Sequence, residues 1–253
     1  MFGQYAPVQE MPPAKGHEVE SGMGSWENPG AAVISCERAV RQGFLRKVFG
    51  LVAAQLTLTA AMAAVMMYQP SIRHFVIHSP SLVMISFFVS LGFLFAAHSN
   101  SHVHPTNLYC LFGFTMSIAW SVGVTCAMYS SAGYGFLVLE AVGLTASTTA
   151  ALCAYTLQSK RDFSYMGAGL SSALWVLIFG GLIASFVGTS AMHTALAVGG
   201  AAIFSLYIVY DVHEISKRMS PDEYISAAIA LYLDIINLFL HILRILAAMQ
   251  QRE

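Results

Sequence analysis

Seven stretches of this chain, near residues 45–68, 81–97, 106–128, 134–157, 164–187, 193–215 and 223–247, stay apolar for about the 20 residues that a helix needs to cross a bilayer. That repeated length is the strongest constraint on the fold. It predicts an all-α, polytopic membrane protein built as a bundle of seven transmembrane helices. The composition agrees, with 57% hydrophobic and 10% charged residues, against roughly 25% charged in soluble domains. The links are short and rich in turn residues: Pro70 and Pro80 flank the first, followed by "SNSHVHP", "SSAG", "SKRD", "GTSAM" and "MSPD". Links this short make sequence neighbours antiparallel neighbours.

The first 35 residues differ in character. They are polar, carry Pro7, Pro12, Pro13 and Pro29, and show no cleavable signal peptide. Residues 1–37 are therefore expected to form a disordered cytosolic tail, and residues 38–253 the seven-helix domain. Lys and Arg near the helix ends set the orientation. Arg38, Arg41, Arg46 and Lys47 precede the first span, Lys160 and Arg161 follow the fourth, and Lys217 and Arg218 follow the sixth, all on one side if seven segments cross. Such clustering marks the cytosolic side. Arg73 and Arg252 fall opposite, unless the last segment is re-entrant and returns the C-terminus to the cytosol.

Several functions are disfavoured. The net charge of -1 leaves no surplus of Lys and Arg to displace counterions from phosphates, so no nucleic-acid partner is expected. Cys36, Cys110, Cys126 and Cys153 have neither a disulfide pattern nor metal-type spacing. His98, His102 and His104 crowd one link and His74 and His78 another, with no acid or cysteine close by to complete a zinc site. Small residues along Gly143, Ser147, Ala150 and Ala154, and along Ala197, Gly200 and Ala201, read as faces where helices approach closely.

Chemistry concentrates on the intramembrane acids Glu140, Asp211 and Asp234. The last span, "LYLDIINLFLHILRIL", carries Asp234, Asn237, His241 and Arg244 at intervals of three, four and three, which place them on one helix face. A charged stripe in hydrocarbon costs at least a few kcal/mol, so it is expected to face a partner or a wet cavity. Asp211 and Asp234 lie about eleven residues either side of the "MSPD" turn, roughly 17 Å, which predicts similar depth within about one helical turn. Two carboxylates together in a low dielectric cannot both ionise easily and tend to share a proton. Such a pair is a proton-sensitive latch and offers oxygen ligands that a transient Ca²⁺ would accept. Glu140, nearer the other surface, would form an outer acidic station and Asn237 part of the route. Arg46, Tyr207, His241 or Arg244 could instead pair with the aspartates as structural glue, His213 and Glu214 could modulate Asp211, and Arg244 could snorkel.

The segments "GFLRKVFGLVAAQLTLT", "SKRDFSYMG", "YIVYD" and "SPDEYISAAIALYLDIINLFLHILRIL" resemble the transmembrane Bax inhibitor motif family, its Lifeguard branch above all, over about Arg38 to Leu246. The resemblance implies seven helices with the last one central, endoplasmic reticulum or Golgi membranes, no enzymatic activity, and a cytoprotective role coupled to Ca²⁺ leak, with Ca²⁺ as permeant ion and no cofactor. It places the family's paired aspartates at Asp211 and Asp234. Bacterial relatives carry a basic cluster after the second helix, where this chain reads "AAHSNSH". A latching cation would have to be a protonated His98 or come from another helix, such as Arg46.

Three readings follow: a pH-sensitive Ca²⁺ leak channel, a non-conducting membrane protein that suppresses cell death through cell-death or calcium-handling membrane partners, and an intramembrane aspartyl protease. The protease is disfavoured because "LYLD" replaces the glycines that admit a substrate backbone and no "PAL" follows. A retinal receptor is weaker still, since the seventh span has no lysine.

Overall fold

The computed structural model describes residues 29–101 and 103–251. Among them are eight α-helices: α1 (Pro29–Tyr68), α2 (Pro70–Ile77), α3 (Pro80–Ser99), α4 (Thr106–Ser131), α5 (Gly135–Gln158), α6 (Met166–Val187), α7 (Ser190–Lys217) and α8 (Tyr224–Gln250). A single 3-10 turn, Pro221–Glu223, leads into α8. Seven of the helices, α1 from Ala39 onward and α3 to α8, are long and apolar enough to span a membrane. α8 is one continuous helix from Tyr224 to Gln250.

The chain divides into two compact units, Met1–Arg38 and Ala39–Glu253. In the first, residues 1–28 of the expected tail lie outside the described residues, whereas residues 29–37 are helical. Pro29 supplies a helical φ where its missing N–H costs nothing, and the alanines after it are good helix formers.

α2 is an addition to the sequence-based expectation. "PSIRHFVI" reads as a connection, yet Pro70 starts a short helix. Val76 anchors it in a small cluster with Met66, Val124 and Ala127, while Arg73 donates to the Met67 carbonyl at 3.3 Å and reaches Ser130 Oγ at 3.5 Å.

The core forms around α8, which packs against α3, α4, α5 and α7. Its residues Ile225, Ala227, Ala228, Leu231, Tyr232, Leu238 and Leu243 are almost wholly buried. Polar cross-links replace the hydrophobic driving force that lipid removes. Gln55 Nε2 donates to Thr115 Oγ1 at 2.9 Å, and Thr59 Oγ1 meets the Tyr232 hydroxyl at 2.9 Å, tying α1 to α4 and α8. Phe87, Phe88 and Phe95 on α3, and Trp175, Phe179 and Phe186 on α6, are exposed, as faces that contact acyl chains should be.

One end of the bundle gathers the basic links. Lys47 Nζ lies 3.2 Å over the Tyr224 ring, Asn107 Nδ2 donates to the Tyr224 hydroxyl at 2.8 Å, and His213 Nε2 meets Asp162 Oδ1 at 3.0 Å. These contacts place the start of the first span with the starts of α4 and α8, and the 159–165 connection with the end of α7. A capping box, in which the Ser220 N–H donates to Glu223 Oε2 at 2.8 Å, makes the last of those turns tight. α7 and α8 therefore pack side by side.

The two small-residue stripes behave differently. Ala197 and Gly200 are buried. Gly143, Ser147, Ala150 and Ala154 are exposed, and a Cβ on Gly143 would meet nothing within 4 Å. The expected close-approach face on α5 carries no helix, because the packing of α5 on α7 and α8 uses its opposite side.

Candidate functional site

A cavity of about 1210 Å³ lies between α6, α7 and α8, closed on one side by Tyr129 of α4. It reaches from Ser190, His193 and Gln251 at one end of the bundle, past Arg244, His241 and Asn237, to Asp211 and Asp234. The space exists because α6 packs chiefly on α7 and stands off α8. The polar stripe Asp234, Asn237, His241 and Arg244 of α8 thus faces a cavity, as the cost of a charged stripe in lipid demands.

Asp211 is about six residues from the end of α7, and Asp234 about ten from the start of α8. That offset of roughly one turn is taken up by the packing, and the two carboxyl groups lie within side-chain hydrogen-bond reach of each other. Asp234 is 6% exposed, and no N–H or O–H donor among the described residues bonds its Oδ2. Two carboxyl oxygens in direct contact attract each other only when one of them carries a proton. No ion pair involves either aspartate among the described residues. With no cation to compensate it, a single shared proton is the simplest way to keep this pair together.

The other expected site residues divide into three groups. Asn237, His241 and Arg244 line the cavity with the pair. Asn237 Nδ2 donates to the Leu233 carbonyl at 2.8 Å, which orients the amide one turn beyond Asp234. The His241 ring stacks on Phe204, with centroids 5.6 Å apart, and sits so close to α7 that a Cβ on Gly200 would overlap it. Its buried Nδ1 has no hydrogen-bond partner among the described residues.

Glu140, Arg46 and His98 do not join the site. All three are exposed, and none lines the cavity. Glu140 fails as an outer station because its face of α5 points away from α7 and α8. Arg46 and His98 fail as latching cations because both lie at the basic end on exposed faces. Neither side chain therefore supplies a cation to the aspartates.

His213 forms the third group. It is 5% exposed, yet it turns from Asp211 toward Asp162 and packs edge-on against Phe163. The Ser164 N–H donates to Asp162 Oδ1 at 2.9 Å, and this bond, aided by His213, holds the Asp162 carboxyl below its ordinary range. This clip between the 159–165 connection and α7 was missed in the sequence. Its signal was an acid in the "SKRD" link on the same bundle end as His213. Glu214, the acid one turn beyond Asp211, is held to Arg218 at 3.6 Å. Tyr129 and His193 also line the cavity without having been singled out, since isolated polar residues near helix ends carry no pattern.

His74 and His78 stack at 4.1 Å; among the described residues no three His, Cys, Asp or Glu side chains converge to hold a metal. Leu231 and Tyr232 before Asp234 are wholly buried, so bulky side chains stand where an aspartyl protease offers glycine backbone.

Comparison with known proteins gives these residues their setting. The family described as inhibitor of apoptosis-promoting Bax1 matches residues 41–252. The chain belongs to the Bax inhibitor family. Its similarity to the "Golgi anti-apoptotic protein" of vaccinia virus (strain Lister) is 44% identity over 219 residues, covering 87% of this chain and 91% of that one. The mouse "Protein lifeguard 4" is 42% identical over 225 residues, 89% and 93% of the two chains. "Bax inhibitor 1" of fission yeast is 35% identical over 254 residues, 97% and 93%. None of these Bax inhibitor relatives is named as an enzyme. The Lifeguard resemblance read from the four segments between Arg38 and Leu246 agrees with these matches, as does the all-helical membrane architecture.

Proposed function

We propose that this Bax inhibitor family member is a proton-modulated, passive Ca²⁺ leak pathway of the endoplasmic reticulum or Golgi membrane that restrains cell death. The observation that carries the reading is the Asp211–Asp234 pair, in mutual reach at the inner part of a cavity of about 1210 Å³. Uncompensated carboxyls at membrane depth are expensive and are functional by default. Resident Ca²⁺ takes six to eight oxygens; the two carboxyls and the Asn237 amide offer fewer, which suits brief passage over storage. The gate is then the pair itself: with one proton shared, α7 and α8 stay together, and with both carboxylates ionised they repel and attract a divalent cation.

The Golgi setting and the anti-death role come from the printed name of the vaccinia relative. The gathering of Arg46, Lys47, Lys160, Arg161, Lys217 and Arg218 at one end of the bundle supports a cytosolic N-terminus. A second reading has support too: the relatives' names speak of apoptosis and not of ions, as fits a protein that acts through membrane partners. Purified protein in liposomes separates the two. Ca²⁺ uptake above protein-free vesicles, exceeding that of Mg²⁺ and K⁺ and changing between pH 6 and 8, is expected. Absence of flux at every pH would hand the function to the interaction reading.

A further inference from the structure

A second cavity, of about 700 Å³, lies between α1 and α5 and is backed by α4 and α8. It follows α1 from Phe49 to Tyr68 and α5 from Val138 to Cys153. The α1 wall alone is about 28 Å long at 1.5 Å per residue, close to the hydrocarbon thickness of a bilayer. The groove is apolar. Most of its hydroxyls are already hydrogen-bonded: Thr57 donates to the Ala53 carbonyl, Thr145 to the Ala141 carbonyl, and Thr59 meets Tyr232, while Thr149 Oγ1 has no partner among the described residues. The room comes from small side chains, with Ala53, Ala60, Ala146 and Ala150 in the walls and all four exposed.

The two ends of this groove differ in charge. Arg46 is one turn before Phe49, on the same stripe of α1, and Lys160 follows the end of α5 by two residues. Both are exposed, and among the described residues neither has an ion-pair partner. Asp162, two residues after Lys160, is committed to His213. At the far end the exposed charge is Glu140, next to Leu139, while Arg73 is engaged with Met67 and Ser130. An apolar slot with two unpaired cations beside one mouth suits an anionic lipid whose headgroup lies at that mouth and whose chain runs inward from it.

We propose that the α1–α5 groove holds an acyl chain of an anionic glycerophospholipid, with its phosphate between Arg46 and Lys160. The chain fills space that the small residues leave open, and the phosphate supplies the counter-charge that the two cations lack. Bound there, the lipid bridges α1 to α5 and is a structural part of the domain. This assignment is independent of the ion-leak reading, since the groove and the acidic cavity lie on different faces of α8.

The test uses the full chain purified in a neutral detergent and exposed to dioleoyl phosphatidylglycerol, dioleoyl phosphatidylcholine or glycerol phosphate, with retained ligand counted by native mass spectrometry. Phosphatidylglycerol should be retained in preference to phosphatidylcholine of the same chains, and glycerol phosphate, which lacks the chain, should not be retained. Arg46→Gln and Lys160→Gln should each reduce that preference about fivefold and leave phosphatidylcholine retention unchanged. Ala60→Leu with Ala150→Leu, both in the open groove, should displace both lipids. Equal retention of the two lipids by the unmodified protein would overturn the headgroup assignment, as would an unchanged preference in the glutamine variants. Undiminished retention in the leucine variant, with its melting curve confirming that it folds, would overturn the groove as the site.

Discussion

Replacing Asp211 or Asp234 by Asn removes the group on which the proposed gate turns. Two unit charges about 4 Å apart repel by about 4 kcal/mol at the effective dielectric of 20 that describes protein sites. Loss of the shared proton should therefore shift the balance between closed and open α7–α8 packing by up to about three decades, at 1.4 kcal/mol per decade. The sign follows from the charges. Below the ionisation of the pair the proton bridges the carboxyls and holds the helices; above it repulsion parts them, so flux rises with pH. An amide cannot ionise, so Asp211→Asn and Asp234→Asn should each leave an Asn–Asp contact free of that repulsion and a flux that barely responds to pH. The double variant should resemble either single one, with a coupling energy of about 1–3 kcal/mol between the positions. The assay is Ca²⁺ uptake by reconstituted vesicles from pH 5.5 to 8.5 for the unmodified protein and the three variants, with thermal melts confirming folding. Folded variants that keep the original pH profile would refute the reasoning, and additive effects would show that the aspartates do not act as a unit.

Three further outcomes follow from particular contacts. Gly200→Val should force the His241 ring off α7 and cost about 1–3 kcal/mol, as overpacking does, read as a lower melting temperature that His241→Ala partly restores. Glu140→Gln should leave Ca²⁺ flux and its pH midpoint unchanged and stability within about 0.5 kcal/mol, since the side chain is exposed outside the cavity; a fall in conductance would return Glu140 to the pathway. The Asp162 carboxyl is held below its ordinary value near 4, mainly by the Ser164 N–H, so its contribution is present above about pH 4 and is lost as pH falls through the lowered value. Protection of the 159–165 amides from hydrogen exchange should accordingly persist down to about pH 4 in the unmodified protein and be weaker in Asp162→Ala.

Span positions were legible because apolar length is a local property: six of the seven spanning helices fall within a few residues of the stretch that marks them, and α1 ends where expected but starts at Pro29, well before residue 45. The acidic pair was legible for a related reason: a tight turn between antiparallel helices converts sequence distance into depth, so Asp211 and Asp234 had to lie near one level. Which way a side chain points depends instead on packing that no single segment records. Glu140 is as scarce an intramembrane acid as Asp211, yet α5 turns it outward. The same rotation leaves Gly143 and Ala150 without a helix against them. His213 neighbours Asp211 in sequence, but the helical turn sends it to Asp162. α2 was hidden because Pro70 reads equally well as the end of one helix or the first residue of another.

The cavity that stops at the aspartates also shapes the electrical profile of the membrane. Filled with water and ions from the compartment it opens to, it would carry that compartment's potential inward as far as Asp211. Most of the transmembrane voltage would then drop over the remaining stretch toward Lys217, about 9 Å at 1.5 Å per residue, and not over the full bilayer. A cation leaving the aspartates would cross nearly the whole field in that short step, worth about 2.3 kcal/mol per charge for each 100 mV. The voltage dependence of the proposed leak would then be set almost entirely by that short step.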